Sequence, residues 1–333
     1  MKVCVVGAGV IGLSSAIRIQ EEVLGCDVTL IADRFSPDTT FDGAGGMILV
    51  FAAGTTPVQL LRKWSLDTKA HLESLTRSAE ASEVAVHLLS GFQMGDDENK
   101  QFSKCPEVLY GVRDLSQEEK KWFPSARWAK FFTSIKVDCT SYLAWLKRRF
   151  ERNGGKITKK KIHSLSELSA VYDIIVNCTG LNSIDLIGDK ELSPTRGETI
   201  RVKAPWIKHF YANDESGNLA YVIPGSKNVV LGGTYQEGNW NMQASKSDST
   251  GVWERCLKLV PSLKNSEIDY HWVGLRPTRT QIRLELDETT SSNCPIIHNY
   301  GHGGSGVTLH WGCAGEVVKL VNHVLVKRNK AKL

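Results

Sequence analysis

The stretch that decides the fold is residues 2–33, KVCVVGAGVIGLSSAIRIQEEVLGCDVTLIAD. It opens with an apolar run over residues 2–6 and continues through the glycine-rich GAGVIG at residues 7–12. Helical spacing follows from about Leu13 to Glu22, and a second apolar run over residues 27–32 ends at Asp33. A strand, a glycine turn, a helix and a strand in this order predict the first unit of a doubly wound α/β sheet.

The three glycines of the turn have separate physical roles. Gly7 allows a sharp turn out of the strand, Gly9 lets the backbone approach a pyrophosphate, and Gly12 lets helix and strand pack closely. The following helix offers free N–H groups and the positive end of its dipole to phosphates. Asp33 stands at the interval typical of an acid that hydrogen-bonds a ribose hydroxyl. The pattern therefore predicts a dinucleotide site, and by itself it leaves NAD and FAD open.

The rest of the chain mixes helical and strand patterns. Helical spacing is expected over residues 57–90 and 138–152, and residues 173–178 form a second continuous apolar strand. Alternating strand patterns over about 195–235 predict an antiparallel sheet in a second layer. We therefore expect an α/β fold with a second, antiparallel-β-rich domain.

Composition excludes several classes of protein. The chain has 333 residues, of which 41% are hydrophobic and 23% are charged, as in ordinary globular domains. The densest basic run, Lys159–Lys161, lacks interleaved aromatic residues, so we interpret it as solvated surface and expect no nucleic-acid partner. No apolar run approaches the roughly 20 residues needed to span a bilayer, and the N-terminus carries no secretory signal. The eight cysteines include no CxxC pair, so we predict free thiols and no metal site.

Further motifs extend along nearly the whole chain. They are Ala32-Asp33-Arg34-Phe35, Thr39-Thr40, Asn177-Cys178-Thr179-Gly180, Arg196-Gly197-Glu198, Ala204-Pro205-Trp206, Ile223-Pro224-Gly225, Leu231-Gly232-Gly233-Thr234, Gly274-Leu275-Arg276-Pro277, the stretch from His298 to Gly306, and His310-Trp311-Gly312. In content and order these motifs resemble the D-amino-acid oxidase family, which includes D-aspartate oxidase. The resemblance implies FAD, bound without a covalent link, as the cofactor. It also implies an α/β fold in which a Rossmann-like FAD-binding domain (residues 1–56, 140–194 and 280–333) is interleaved with an antiparallel-β-rich substrate-binding cap domain (residues 57–139 and 195–279).

The resemblance also implies which residues surround the cofactor. The first glycine turn would face the pyrophosphate, and residues 301–306 would present N–H groups to the O2/N1 edge of the flavin. His302 would be a structural or flavin-edge contact, and His310 a hydrogen-bonded core histidine. The implied cofactor contacts are Gly7, Ala8, Gly9, Ile11, Gly12, Asp33, Arg34, Thr39, Thr40, Gly46, Met47, Ile162, Thr179, Gly180, Arg276, Gly301, His302, Gly303, Gly304, Ser305, Gly306 and Thr308.

Substrate contacts follow from the same resemblance. The planar guanidinium of Arg276 would bridge both oxygens of the substrate carboxylate, and the hydroxyl of Tyr221 would contact the same group. The substrate amine would lie near the carbonyl of Gly304. In this family the Cα hydrogen leaves as a hydride directly to the flavin, so we assign no catalytic residue.

Three positions of the implied pocket depart from the family pattern. Leu49 and Phe51 stand where D-amino-acid oxidases usually carry Gln and Tyr, and Tyr235 stands where D-aspartate oxidases carry an arginine. These three residues are expected to line the substrate side chain. Because a buried carboxylate without a cationic partner is costly, we expect neutral or apolar D-amino acids as substrates.

A lid is expected between Phe210 and Tyr221. D-aspartate oxidases carry a second arginine there, whereas this chain has Ala212 or Asn213, with Asp214 and Glu215 nearby. The acidic residues should disfavour acidic substrates further. D-aspartate oxidase nevertheless stays open as the alternative, since Lys227, His209 or Arg279 could fold into the pocket and replace the missing arginines.

The sequence thus predicts an FAD-dependent oxidase that converts D-amino acids and O2 to 2-oxo acids, ammonia and hydrogen peroxide. An NAD-dependent dehydrogenase and a non-catalytic dinucleotide-binding protein are the alternatives outside the family. The C-terminal Ala331-Lys332-Leu333 resembles a peroxisomal address, so we expect the peroxisomal import receptor as a partner and the cytoplasm as the alternative location. No membrane partner is expected, and the sequence leaves a homodimer open.

Overall fold

A computed structural model describes residues 1–97, 102–213, 219–287 and 294–330. Its helices are α1 Val10–Glu22, α2 Val58–Thr76, α3 Ala81–Val84, α4 Gln117–Lys120, α5 Cys139–Arg152, α6 Ser183–Ile187, α7 Lys246–Leu259 and α8 Gly306–Lys330. Its strands are β1 Lys2–Val6, β2 Asp27–Ala32, β3 Val86–Gly95, β4 Tyr110–Asp114, β5 Trp128–Val137, β6 Lys156–Lys159, β7 Ile174–Asn177, β8 Ser193–Lys203, β9 Phe210–Asn213, β10 Ala220–Pro224, β11 Val229–Gly232, β12 Gln236–Glu237, β13 Glu267–Asp287 and β14 Ile296–His302.

These strands form one hydrogen-bonded sheet, of which one half is parallel and the other is mainly antiparallel. The order is β4-β5-β3-β9-β10-β11-β8-β13-β14-β7-β1-β2-β6, and β12 pairs with β8. The five strands from β14 to β6 are parallel, whereas the other half is antiparallel apart from the β3–β9 pair. The expected α/β fold with an antiparallel cap is thereby confirmed. The domain boundaries stay a prediction, because a single sheet runs through both halves.

The parallel half forms as the apolar runs predicted. Val3 and Val5 on one face of β1 pack in the main core with Ala16 of α1, while Cys4 and Val6 on the other face belong to a second cluster. A strand that is buried on both faces needs a continuous apolar sequence, which is what residues 3–6 provide. This packing fixes the carboxyl end of β1 at the start of the glycine turn.

One long strand joins the two halves of the sheet. β13 pairs with β8 over Glu267–Thr278 and with β14 from Thr278 to Asp287, with a register shift between Thr278 and Arg283. Arg276 lies near this junction. β13 therefore links the antiparallel strands to the parallel half of the sheet.

Two boundaries differ from the expectations. The helical pattern over residues 57–90 ends early, since Ala85 takes a left-handed conformation (φ 55°) and β3 begins at Val86, which pairs with Val137. Cross-strand pairing there outweighs local helical spacing. α1 begins at Val10, earlier than expected, because Gly9 takes the N-cap position.

The cysteine prediction is confirmed for all eight side chains. Each is a free thiol, and all but Cys26 are buried. Burial raises the pKa of Cys139 and Cys178 to about 12, so these thiols stay protonated. No helix within the described ranges combines the length and the apolar character needed to cross a bilayer.

Candidate cofactor and substrate site

A cavity of about 890 Å³ lies where the two halves of the sheet meet. Its size is at the upper end of the range for ligand sites. Most of the residues predicted for the cofactor and the substrate line it, although they come from distant parts of the chain. They are Gly7, Ala8, Gly9, Ile11, Asp33, Arg34, Thr39, Thr40, Gly46, Met47, Leu49, Phe51, Ile162, Thr179, Gly180, Tyr221, Arg276, Gly301, His302, Gly303, Gly304 and Gly306.

The glycine turn shows which positions pack and which leave space. A β-carbon at Gly7 (φ +114°) would overlap the carbonyl of Cys178, and one at Gly12 would overlap the carbonyl of Gly7. Gly9, in contrast, would meet nothing within 4 Å and faces the cavity. Gly12 therefore allows close helix–strand packing without lining the cavity, while Gly9 leaves room for a ligand against the start of α1. These residues fit the pyrophosphate of a dinucleotide.

The far end of the cavity is polar and partly basic. Asp33 lies at the end of β2, with the Nε atom of Arg34 3.9 Å from its carboxylate. Thr40 donates to the carbonyl of Leu275 at 3.1 Å, which ties this end to β13. Lys160 and Lys161 also line the cavity, although both are exposed as the sequence indicated. This end offers groups suited to ribose and phosphate.

His302 lines the cavity with a buried ring. Its side chain is 2% exposed, and no described residue hydrogen-bonds its Nε2 atom. Burial lowers the pKa of His302 to about 3, so the ring is neutral. An unpartnered buried nitrogen in a cavity wall is costly unless a ligand satisfies it. His302 therefore fits the polar edge of a flavin better than a purely structural role.

Two of the predicted flavin contacts lie outside the cavity lining. Ser305 and Thr308 do not line the cavity, because their hydroxyls hold the chain at residues 49–51. The Ser305 hydroxyl accepts from the N–H of Phe51 at 2.9 Å and donates to its carbonyl at 2.6 Å. The Thr308 hydroxyl likewise accepts from the N–H of Leu49 at 3.1 Å and donates to the carbonyl of Leu49 at 2.8 Å. The first turn of α8 thus positions the wall formed by Leu49 and Phe51.

Arg276 projects into the cavity from β13. Its Nη1 atom donates to the carbonyl of Thr234 at 3.2 Å, and its guanidinium lies 5.7 Å from the ring centre of Tyr235. In the described part of the chain no carboxylate forms an ion pair with it, in contrast to Arg279, which pairs with Asp189 at 3.0 Å. A half-buried guanidinium that is bound only to neutral groups can still bind a carboxylate.

Tyr221 lies beside Arg276, and glycines make room for both side chains. A β-carbon at Gly232 would overlap the ring of Tyr221, and one at Gly197 would lie 2.5 Å from Nη2 of Arg276. Burial raises the pKa of Tyr221, although the charge of Arg276 acts in the opposite direction. The hydroxyl therefore remains a hydrogen-bond donor across the neutral pH range.

The side-chain wall is apolar where it was predicted to be. The rings of Phe51 and Tyr235 meet edge to face, with centroids 5.9 Å apart. Tyr235 contacts this wall without lining the cavity itself. Trp240 and Met242 continue the wall at the mouth, where each is more than half exposed. Sequence reasoning missed these two residues, since they lie in a loop with no periodic pattern.

Cations are unevenly distributed around the cavity. Within the described ranges Arg276 is the cationic residue that lines the substrate end, while Arg34, Lys160 and Lys161 line the ribose end. His209, which the sequence left as a candidate for the pocket, instead contacts the carbonyl of Ser90 at 3.1 Å. The predicted lid residues Asp214 and Glu215 lie outside the described residues.

His310 occupies the core position that was expected. Its Nε2 atom lies 2.9 Å from the hydroxyl of Tyr142, and its Nδ1 atom lies 2.7 Å from the carbonyl of Val307. Burial lowers its pKa to about 4. The ring is therefore neutral and hydrogen-bonded at both nitrogens, and it does not line the cavity.

The chain resembles known proteins in sequence and in fold. The family model "FAD dependent oxidoreductase" matches residues 2–320. The chain is 40% identical to D-aspartate oxidase of Homo sapiens over 96% of its own length and 94% of that protein. It is 34% identical to a D-amino acid oxidase of Dugesia ryukyuensis over 98% and 99% of the two chains. A glycine oxidase structure from Geobacillus kaustophilus has the same fold, with a TM-score of 0.80 at 18% identity over 96% and 94% of the chains.

Proposed function

The chain belongs to the family of FAD dependent oxidoreductases, and from this membership we propose that it oxidises D-amino acids whose side chains carry no net charge. It is an oxidoreductase with FAD as its cofactor, which we propose is held without a covalent bond. The observation that carries the substrate proposal is the guanidinium of Arg276, which faces the cavity without a carboxylate partner among the described residues.

Arg276 and Tyr221 orient the substrate. The guanidinium binds both oxygens of the α-carboxylate, the Tyr221 hydroxyl donates to one of them, and the carbonyl of Gly304 accepts from the amine. With two groups of the α-carbon fixed, only one enantiomer directs its hydrogen toward the cofactor. The other enantiomer would direct its side chain there, so L-amino acids are excluded.

The overall reaction balances without a protein base. FAD, when bound, would supply the two-electron redox chemistry at the substrate Cα, with O2 as the final electron acceptor. The amino acid, O2 and water yield a 2-oxo acid, ammonia and hydrogen peroxide. The protein binds the substrate and orients its Cα, with the amine hydrogen-bonded to the carbonyl of Gly304.

The apolar wall supports uncharged side chains. Leu49 and Phe51 line the substrate end, and each buried methylene of a substrate contributes about 0.8 kcal/mol there. The second candidate is D-aspartate oxidation, favoured by the 40% identity to the human enzyme of that name. A distal carboxylate would need a cation, whereas Tyr235, and either Ala212 or Asn213, stand where the resemblance places arginines in D-aspartate oxidases.

We further propose a peroxisomal location. Ala331-Lys332-Leu333 resembles a peroxisomal address, and a protein that produces hydrogen peroxide suits a compartment that destroys it. These three residues lie outside the described part of the chain.

Anaerobic flavin reduction tests the proposed activity. Purified protein should be yellow, should release FAD on denaturation, and should lose its flavin absorbance when D-methionine or D-alanine is added without O2. The L-enantiomers should leave the spectrum unchanged. Protein that carries FAD and is reduced only by D-aspartate would support the second candidate, whereas protein that no D-amino acid reduces would overturn the proposal.

A further inference from the structure

A polar side chain faces the cavity from a strand that is otherwise apolar. Gln93 lies on β3 between Phe92 and Met94, whose side chains belong to a separate core cluster on the opposite face of the sheet. Alternation along the strand directs Gln93 to the cavity, which it lines. Gln93 belongs to none of the motifs that resemble the family.

The amide of Gln93 has an unsatisfied oxygen. The side chain is 6% exposed, and no described residue donates a hydrogen bond to its Oε1 atom. A buried acceptor without a partner destabilises a protein, so such groups usually bind water or a ligand. Because the orphan oxygen belongs to a residue of the cavity wall, the missing partner is expected to come from the cavity.

The sheet places Gln93 in line with the substrate anchor. Tyr221 pairs with Ala212, and Ala212 pairs with Gln93, so the three side chains lie side by side on one face. Two inter-strand steps separate the Cα atoms of Gln93 and Tyr221 by about 10 Å. Ala212 between them is small, which leaves the space above it open. A substrate side chain that extends from the anchor across Ala212 reaches the Gln93 amide.

The chemistry of the neighbourhood selects an uncharged donor. On the other side of Gln93 the row continues with Lys130 of β5, which pairs with Gln93. The Lys130 ammonium is already bound to Asp114 at 2.6 Å. Among the described residues this row therefore offers no unpaired cation to a carboxylate. A neutral N–H group satisfies the oxygen without the cost of burying a charge.

We propose that Gln93 is a specificity-determining residue whose amide oxygen accepts a hydrogen bond from an uncharged N–H donor at the end of a long substrate side chain, as in D-glutamine. This inference rests on the proposed oxidation of D-amino acids. The distance to the anchor favours side chains of the length of glutamine, whereas serine-sized side chains end short of the amide.

Isosteric substrates and an isosteric variant test the proposal. D-methionine has nearly the shape of D-glutamine and lacks the amide, so the ratio of kcat/KM for the two substrates isolates the hydrogen bond. In Gln93→Met holoenzyme this ratio should fall about three- to tenfold, mainly through loss of D-glutamine activity. The melting temperature should stay the same or rise, because an unpartnered buried oxygen is removed.

Gln20→Met provides the matched control. Gln20 carries the same side chain on α1, outside the cavity, where its Nε2 atom bonds the carbonyl of Asn153 at 2.8 Å. Its replacement should leave the substrate ratio unchanged.

An unchanged ratio in Gln93→Met, or D-glutamate turnover above that of D-glutamine, would overturn the assignment. A marked loss of thermal stability in Gln93→Met would also overturn it, since the amide would then have a structural partner. Turnover of D-methionine by the wild-type enzyme shows whether D-amino acids are oxidised at all, independently of the role of Gln93. If the wild-type enzyme oxidises no D-amino acid, the proposed function itself is wrong.

Discussion

Gly197 lies directly beneath the guanidinium of Arg276, so that a β-carbon at position 197 would lie 2.5 Å from Nη2 and 2.6 Å from Nη1. The two residues come from adjacent strands, β8 and β13, where Gly197 pairs with Gly274. This relationship gives a physical reason for the glycine in Arg196-Gly197-Glu198. The cation keeps its position in the cavity because the strand below it has no side chain at that point.

Gly197→Ala should therefore weaken substrate binding while the fold survives. The added methyl group displaces the flexible end of Arg276, which can move at little cost to stability. We expect KM to rise roughly tenfold, about 1.4 kcal/mol, with a small change in melting temperature. Steady-state kinetics with D-alanine measures the effect. Gly251→Ala on α7 is the control, and equal kinetics in both variants would contradict the assigned position of the guanidinium.

Arg276→Ala and Arg276→Lys should separate charge from geometry. Loss of a charge-assisted two-point bond costs about 2–4 kcal/mol, so KM should rise steeply in the alanine variant while bound FAD is retained. Lysine restores the charge without the planar fork and should recover only part of the loss. Substrate titrations of the flavin spectrum report the binding. Wild-type KM in the alanine variant would mean that the carboxylate binds elsewhere.

The glycine turn supplies a matched pair of variants. Gly9→Ala places a methyl group in open cavity space, so the apoprotein should fold normally and bind FAD more weakly. Gly12→Ala forces that group against the backbone carbonyl of Gly7, so it should destabilise the protein itself, by roughly 1–3 kcal/mol as for overpacking elsewhere. Urea unfolding of the apoproteins and FAD titration distinguish the two effects. Equal FAD affinity of Gly9→Ala and wild type would exclude a pyrophosphate at this turn.

Stability should decline as the pH falls below about 6.5. Burial lowers the pKa of His302 to about 3 and that of His310 to about 4, compared with an unfolded value of 6.5. Between these limits the unfolded chain binds more protons than the folded one, so stability is full above 6.5 and is lost toward pH 4. Each histidine contributes a slope of at most about 1.4 kcal/mol per pH unit. Urea midpoints measured from neutral pH downward should show the decline, and a flat profile would contradict neutral buried rings.

The C-terminal address can be tested in cells. A fluorescent fusion at the N-terminus should give a punctate signal that coincides with peroxisomes, because the address must remain free at the C-terminus. Deletion of Leu333 should disperse the signal. A diffuse signal from the intact fusion would favour the cytoplasm instead.

The sequence by itself determined the local elements whose residues act through near neighbours. The run from Lys2 to Asp33 predicts β1, α1 and β2 because apolar spacing and glycine positions act within a few residues of each other. It also predicts many of the residues that line the cavity, since the motifs that resemble the family carry these positions with them.

Tertiary structure decided what depends on side chains that are distant in sequence. Residues 86–90 become a strand because β5 pairs with them, and Ser305 and Thr308 leave the cavity because their hydroxyls bind residues 49–51. The position of Gly197 beneath Arg276 depends on the pairing of β8 with β13. The place of the Gln93 amide beside the substrate anchor depends on β3, β9 and β10 lying side by side. A sequence specifies which groups are present, whereas long-range pairing and burial decide which of them find a partner and which remain free for a ligand.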